Sequence, residues 1–128
     1  MTHRAVAPAD GPAPVGPYSP AVVDEKNGIV YLSGQVPLDP KTGKLVEGDI
    51  TAQTRQALEN VRSVLTSAGS GMDRVLKTTV FMADLTEFAQ MNEVYATFFP
   101  GVKPARAAFQ VVKLPLGARV EIEAIATL

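Results

Sequence analysis

VLKTTVFMA, Val75–Ala83, is the stretch whose reading decides the fold. It is rich in β-branched residues and alternates, the period-two signature of a strand. Strict alternation assigns Leu76, Val80 and Met82 to one face and Lys77, Thr79 and Phe81 to the other. Stretches of helical periodicity flank it on both sides. Before it, Ile50–Ala68 carries Ala57, Leu58, Val61, Val64, Leu65 and Ala68 on one apolar stripe. Asp49 suits its N-cap, and Gly69 suits the residue just past its end. Gln53, Arg55, Gln56, Glu59 and Arg62 form the opposite face, read as solvated. After the strand, Glu87–Phe98 places Phe88, Met91, Tyr95 and Phe98 on one stripe, with Thr86 as N-cap. Those aromatics read as core.

Further out, AVVDEKNGIVYLSG reads as a β-hairpin, with Asn27-Gly28 suited to a type I′ turn. VPLDPKTGKLV is a loop punctuated by Pro37, Pro40 and Gly43. At the other end, Ala105–Lys113 and Arg119–Thr127 read as strands joined across LPLG. In the last strand Val120, Ile122, Ala124, Ala126 and Leu128 share one face, and Arg119, Glu121 and Glu123 the other. Residues 1–17, rich in Ala, Pro and Gly, read as an irregular arm that becomes ordered near Tyr18, with 1–14 flexible. The whole of 1–128 is expected to form a single domain.

The resulting order is β-β-α-β-α-β-β, an α+β arrangement. Each helix has one apolar stripe, so both are expected to cover one face of a single sheet. The other face is assigned Lys77, Thr79, Phe81, Arg106, Gln110, Arg119, Glu121 and Glu123. That set is too polar for a core and too rich in Phe and Thr for plain surface. Such a face fits packing against copies of the same chain.

Composition narrows the chemistry. The formal net charge is −1, with no basic excess to draw the chain to nucleic acid or to a membrane. There is no cysteine, which excludes disulfides, thiolate catalysis and cysteine-based zinc sites. The one histidine, His3, cannot by itself build a zinc site or a Ser-His-Asp triad. No signal peptide and no apolar run of about 20 residues is visible, so a cytoplasmic protein is expected. The chain has no GxGxxG or GxxxxGK[ST] phosphate cradle; GSG at 69–71 follows a helix and reads as a turn.

KPARAAFQVV, Lys103–Val112, sets one permanently charged guanidinium on a quiet strand. Arg106 presents a rigid fork that grips a carboxylate with two parallel bonds. Glu121, on the last strand, can hold or deprotonate a water. The pair makes a minimal hydrolytic kit for a small carboxylate-bearing substrate. The same pair also fits a cross-strand ion pair, and Glu123 a second one with Arg119 or Lys77. Tyr18 in GPYSP and Ser33 in LSGQ have hydroxyls able to orient a ligand or a water, and both also fit structural roles. No histidine is available to activate Ser33. Asn92, mid-helix, fits a structural hydrogen bond.

From VGPYSPAV through YLSGQVPLDPKTGKLV, QTRQALENV, VLKTTVFMADLTEFAQMNEVYATFF, PARAAF and VEIEAIA, the chain resembles the RidA/YjgF/YER057c reactive-intermediate deaminase family. The resemblance runs over nearly the whole chain. It implies a chorismate-mutase-like fold and a homotrimer with sites between subunits. It also implies hydrolysis of 2-imino acids, such as 2-iminopropanoate and 2-iminobutanoate, to 2-oxo acids and ammonia. It assigns carboxylate binding to Arg106, water positioning to Glu121, and site roles to Tyr18, Ser33 and Asn92. A backbone carbonyl near Ala107 or Ala108 would accept from the substrate nitrogen. No metal or organic cofactor, no nucleic acid and no membrane is implied. The alternative is a regulatory binding protein for 2-oxo acids. Two positions depart from the family pattern: Ala108 stands where many members have Cys, and Pro20 where Gln is common. A thiol-dependent role is thereby excluded at 108, and substrate preference is left open.

Overall fold

The computed structural model describes residues 2–128. Its elements are β1 (His3–Val6), β2 (Ala21–Asp24), β3 (Ile29–Gln35), α1 (Ile50–Ser67), β4 (Val75–Met82), α2 (Phe88–Phe98), β5 (Ala105–Gln110) and β6 (Val120–Thr127). The strands form one sheet in the order β1-β2-β3-β6-β4-β5. Every neighbouring pair is antiparallel except β4 and β5, which run parallel with α2 as their crossover. The α+β class and the single sheet under two helices are as the sequence implies.

One cluster holds the fold together. Val23, Val30, Leu32, Val80, Met82, Val120 and Ile122 of the sheet meet Leu58, Val61, Val64, Leu65, Met91 and Phe98 of the helices. Each large aliphatic side chain removed from water contributes about 1.5–3 kcal/mol. β6 shows the cause most plainly: Val120, Ile122, Ala124 and Ala126 are buried, while Glu121, Glu123, Ile125 and Thr127 alternate with them, half-exposed on the open side. Asp49 caps α1 through the Ala52 N–H at 3.0 Å, worth about 1 kcal/mol. Gly69, at φ 86°, closes the helix in the left-handed region.

The structure corrects several expectations. The arm begins with a strand: β1 pairs with β2, so the order gains one β at its start. The hairpin turn is not type I′, which needs positive φ at both central residues. Asp24 pairs with Ile29 across a four-residue loop, only Gly28 has positive φ (67°), and the Asp24 carboxylate accepts from the Lys26 and Asn27 N–H groups. Leu76 is half-exposed, because β4 carries a bulge between Val75 and Lys77 that breaks its alternation. Thr86 does not cap α2; it lies in a short 3₁₀ turn, Leu85–Glu87, capped by Asp84. β5 stops at Gln110, short of the expected Lys113.

Gln53 is not on a solvated face. It is buried, its Oε1 accepting from the Arg119 N–H at 2.8 Å and its Nε2 donating to the Val46 carbonyl. Asn60, also buried, donates to the carbonyls of Val36 and Leu38. These two amides tie the loop after β3 and the start of β6 to α1. Both segments border the site described next.

Candidate active site

Arg106 lies on β5, and its register is decisive. In the parallel β4/β5 pairing Arg106 stands opposite Thr78, Ala108 opposite Val80 and Gln110 opposite Met82. Thr78, Val80 and Met82 are buried under the helices. Arg106, Ala108 and Gln110 therefore belong to the helix side of the sheet, not to the open face expected for Arg106 and Gln110. The guanidinium reaches over α2. Its Nη1 donates to Asn92 Oδ1 at 2.7 Å, and its carbon lies 4.8 Å from the Tyr95 ring centroid and 5.3 Å from that of Phe88. Tyr95 is itself fixed, its hydroxyl 2.7 Å from the buried Thr78 hydroxyl. Burial raises the Tyr95 phenol above its ordinary pKa, so the ring stays neutral beneath the cation. Among the described residues no ion pair engages Arg106, which is exposed. The guanidinium is thus charged, oriented by α2 and without a carboxylate of its own.

Glu121 lies on the other side. It pairs with Phe81, whose partner on β5 is Phe109, and so faces away from the helices. A second bulge shapes its surroundings. β3 pairs Leu32 with Ala124 but Gln35 with Ile122, so Ser33 and Gly34 occupy a register break. The bulge brings the Gly34 backbone against Glu121: a β-carbon at Gly34 would lie 2.8 Å from the Glu121 carboxyl carbon. Only glycine leaves that carboxylate its place. The Ser33 hydroxyl donates to the Ser19 carbonyl at 2.6 Å, which ties the bulge to the GPYSP segment and Tyr18. Tyr18, Ser33, Gly34, Glu121 and Glu123 line one cleft of about 380 Å³. Burial raises the Glu121 carboxyl above the ordinary carboxylate range, and the Glu123 charge beside it adds to the rise.

The structure thus brings Tyr18, Ser33 and Glu121 together, and separately Arg106, Asn92 and Ala108. It does not bring the two groups together within one chain. The cross-strand ion pair between Arg106 and Glu121 does not exist: β4 separates their strands, and the side chains take opposite faces. Nor does Glu123 pair with Arg119, whose Nη1 donates to Glu87 at 2.9 Å. Sequence reasoning missed Gly34, and it read Phe88 and Tyr95 as core alone. The helical spacing of Phe88, Asn92 and Tyr95 was the available signal, since residues four and three apart stack on one face.

Among the described residues no group of three or more His, Cys, Asp or Glu side chains could hold a metal ion. No helix is long and apolar enough to cross a membrane.

A family model described as endoribonuclease L-PSP matches residues 8–128. The 2-iminobutanoate/2-iminopropanoate deaminase of Mus musculus is 48% identical over 126 residues, covering 98% of this chain and 92% of its own. A RutC family protein of Pyrococcus horikoshii is 49% identical over 117 residues, covering 91% of each. Among solved structures, YyfA of Yersinia pestis, described as a protein of unknown function of the conserved Rid protein family, superposes with a TM-score of 0.94. It is 45% identical, with 98% of this chain and 99% of that chain covered.

Proposed function

The chain belongs to the RidA/YjgF family, and from that premise we propose that it hydrolyses reactive 2-imino acids to 2-oxo acids and ammonia. The observation that carries this reading is the division of the site. An unpaired guanidinium stands on one face of the sheet, and a half-buried carboxylate of raised pKa stands on the other. A sheet is too thick for a molecule the size of 2-iminobutanoate to span, with layers about 10 Å apart. The two groups become one site when a second copy sets its Arg106 corner against the Glu121 cleft. A closed ring of three such contacts gives three equivalent sites, a homotrimer.

In that cleft Arg106 holds the substrate carboxylate with two parallel bonds, steadied by Asn92 and by the faces of Phe88 and Tyr95. A carbonyl near Ala107 or Ala108, on the same strand, accepts from the iminium N–H. Glu121 of the facing subunit orients a water onto C2 and takes one of its protons as the C–O bond forms. The tetrahedral carbinolamine then receives that proton on nitrogen; as the C–N bond breaks and ammonia leaves, Glu121 takes the hydroxyl proton, and the 2-oxo acid remains. A carboxylate of raised pKa suits both halves of this exchange. Tyr18 and Ser33 order the wall of the cleft. Imines already hydrolyse in water, so orientation and charge placement are enough.

The mouse deaminase, at 48% identity, supports the substrate class. A role confined to binding 2-oxo acids is less well served, because Glu121 and Glu123 together repel a bound anion unless Arg106 draws its carboxylate away. A ribonuclease reading finds little chemistry here. The only histidine, His3, is exposed on β1, where it pairs with Asp24, and the net charge is −1. The direct test generates 2-iminobutanoate with a threonine dehydratase and follows loss of its semicarbazone adduct. Wild type is expected to divert the imine to 2-oxobutanoate faster than solution hydrolysis does. Arg106→Ala is expected to leave the background rate. Equal rates for the two proteins would end the enzymatic assignment.

A further inference from the structure

Among the described residues Leu116 is the one non-glycine residue with positive φ, at φ 60° and ψ 14°. For a bulky side chain that backbone is strained, and it persists only where neighbours enforce it. The loop does enforce it. Leu114 and Ala118 are buried at either end. The Gly117 N–H donates to the Leu114 carbonyl and the Ala118 N–H to that of Pro115. The result is counter to ordinary burial, since the leucine so held is 60% exposed. It is exposed into a particular place, the Glu121 cleft. There Val15, Tyr18, Val36 and Pro115 join it as an apolar wall of the cleft that Glu121 and Glu123 also line.

We infer that Leu116, held left-handed, is a specificity-determining residue whose side chain selects 2-imino acids with branched or longer aliphatic side chains. The inference rests on the reading of the site given above and names its substrate class. With the substrate carboxylate drawn to Arg106 and the attacking water on Glu121, the remaining substituent on C2 is left to meet the apolar wall. An alanine-derived imine presents only a methyl group there. A leucine-derived imine presents an isobutyl group, which exchanges contact with water for contact with Leu116.

The test is a ratio. Imines of leucine and of alanine are generated by an L-amino-acid oxidase, and kcat/KM for each is measured by competition with semicarbazide. Leu116→Asn keeps a residue tolerant of the left-handed backbone and removes the aliphatic surface; Leu116→Met restores the surface. The leucine-to-alanine ratio is expected to fall about tenfold in Leu116→Asn, the scale a lost aliphatic contact produces in a pocket, and to recover in Leu116→Met. An unchanged ratio in Leu116→Asn, with both imines turned over, overturns the inference and leaves the deaminase reading standing. If wild type turns over neither imine, the deaminase reading fails. Calorimetric binding of 4-methyl-2-oxopentanoate against pyruvate then decides the role of Leu116. A preference lost in Leu116→Asn supports it, and a preference unchanged overturns it.

Discussion

At Arg106 a charge is set on two aromatic rings and one amide; at Glu121 a charge is set against a glycine bulge and a second carboxylate. The first arrangement stabilises its ion, because ring faces and the Asn92 oxygen all favour a cation. The second opposes its ion, because burial and Glu123 both favour the neutral acid. One end of the proposed site is therefore a permanent anchor and the other a group ready to exchange a proton. The two lie on opposite faces of one sheet, so in the proposed reading a chain on its own carries two halves of different sites.

That division is open to experiment. The largest expected effect comes from mixing. Arg106→Ala and Glu121→Gln should each assemble into an inactive oligomer. Exchanged subunits, recovered through two different affinity tags, should regain activity. In randomly assembled closed rings about a quarter of clefts draw both intact residues from different chains. No recovery in verified mixed oligomers would mean that Arg106 and Glu121 do not share a cleft between chains.

A second variant sharpens the Glu121 side alone. In Gly34→Ala the new β-carbon would sit 2.8 Å from the Glu121 carboxyl carbon, so the carboxylate must move. Displacement on the order of 1 Å is expected to lower kcat about a hundredfold. Little loss of stability should accompany it, because the atoms that must give way are the end of a flexible side chain; denaturant unfolding checks this. Wild-type kcat in Gly34→Ala would detach the position of Glu121 from turnover.

The smallest effect is on pH dependence. Glu121 must be ionised to take a proton from water, so activity should fall as pH drops through its raised pKa. A negative neighbour disfavours ionisation, and Glu123→Gln removes that neighbour. The pKa should then come down toward the ordinary carboxylate value, and the acid limb of kcat/KM should move to lower pH. A limb that stays in place would leave burial as the whole cause of the shift.

Much of this was legible in the residues. The stripe from Ala57 to Leu65 and the alternation from Val120 to Ala126 each yielded the right element, because one buried face imposes one period on a sequence. The motifs carrying Tyr18, Ser33, Arg106 and Glu121 marked four of the positions now proposed for the site. Leu76 was misassigned because a bulge costs one residue and leaves no compositional mark. Gln53 was misassigned because a buried amide looks like a solvated one until its partners, Val46 and Arg119, are known. Leu116 carried no signal at all, since a leucine in a short loop reads as ordinary.

What the sequence determined by itself was parity within an unbulged strand: which residues of β5 lie with Arg106, and which of β6 lie with Glu121. It could not determine parity between strands, because alternation has no sign until two strands are paired. Only the tertiary structure supplied that sign, by pairing Arg106 with Thr78 and Glu121 with Phe81 across β4. Backbone hydrogen bonding between strands fixes which faces coincide, and those bonds are made by groups common to every residue.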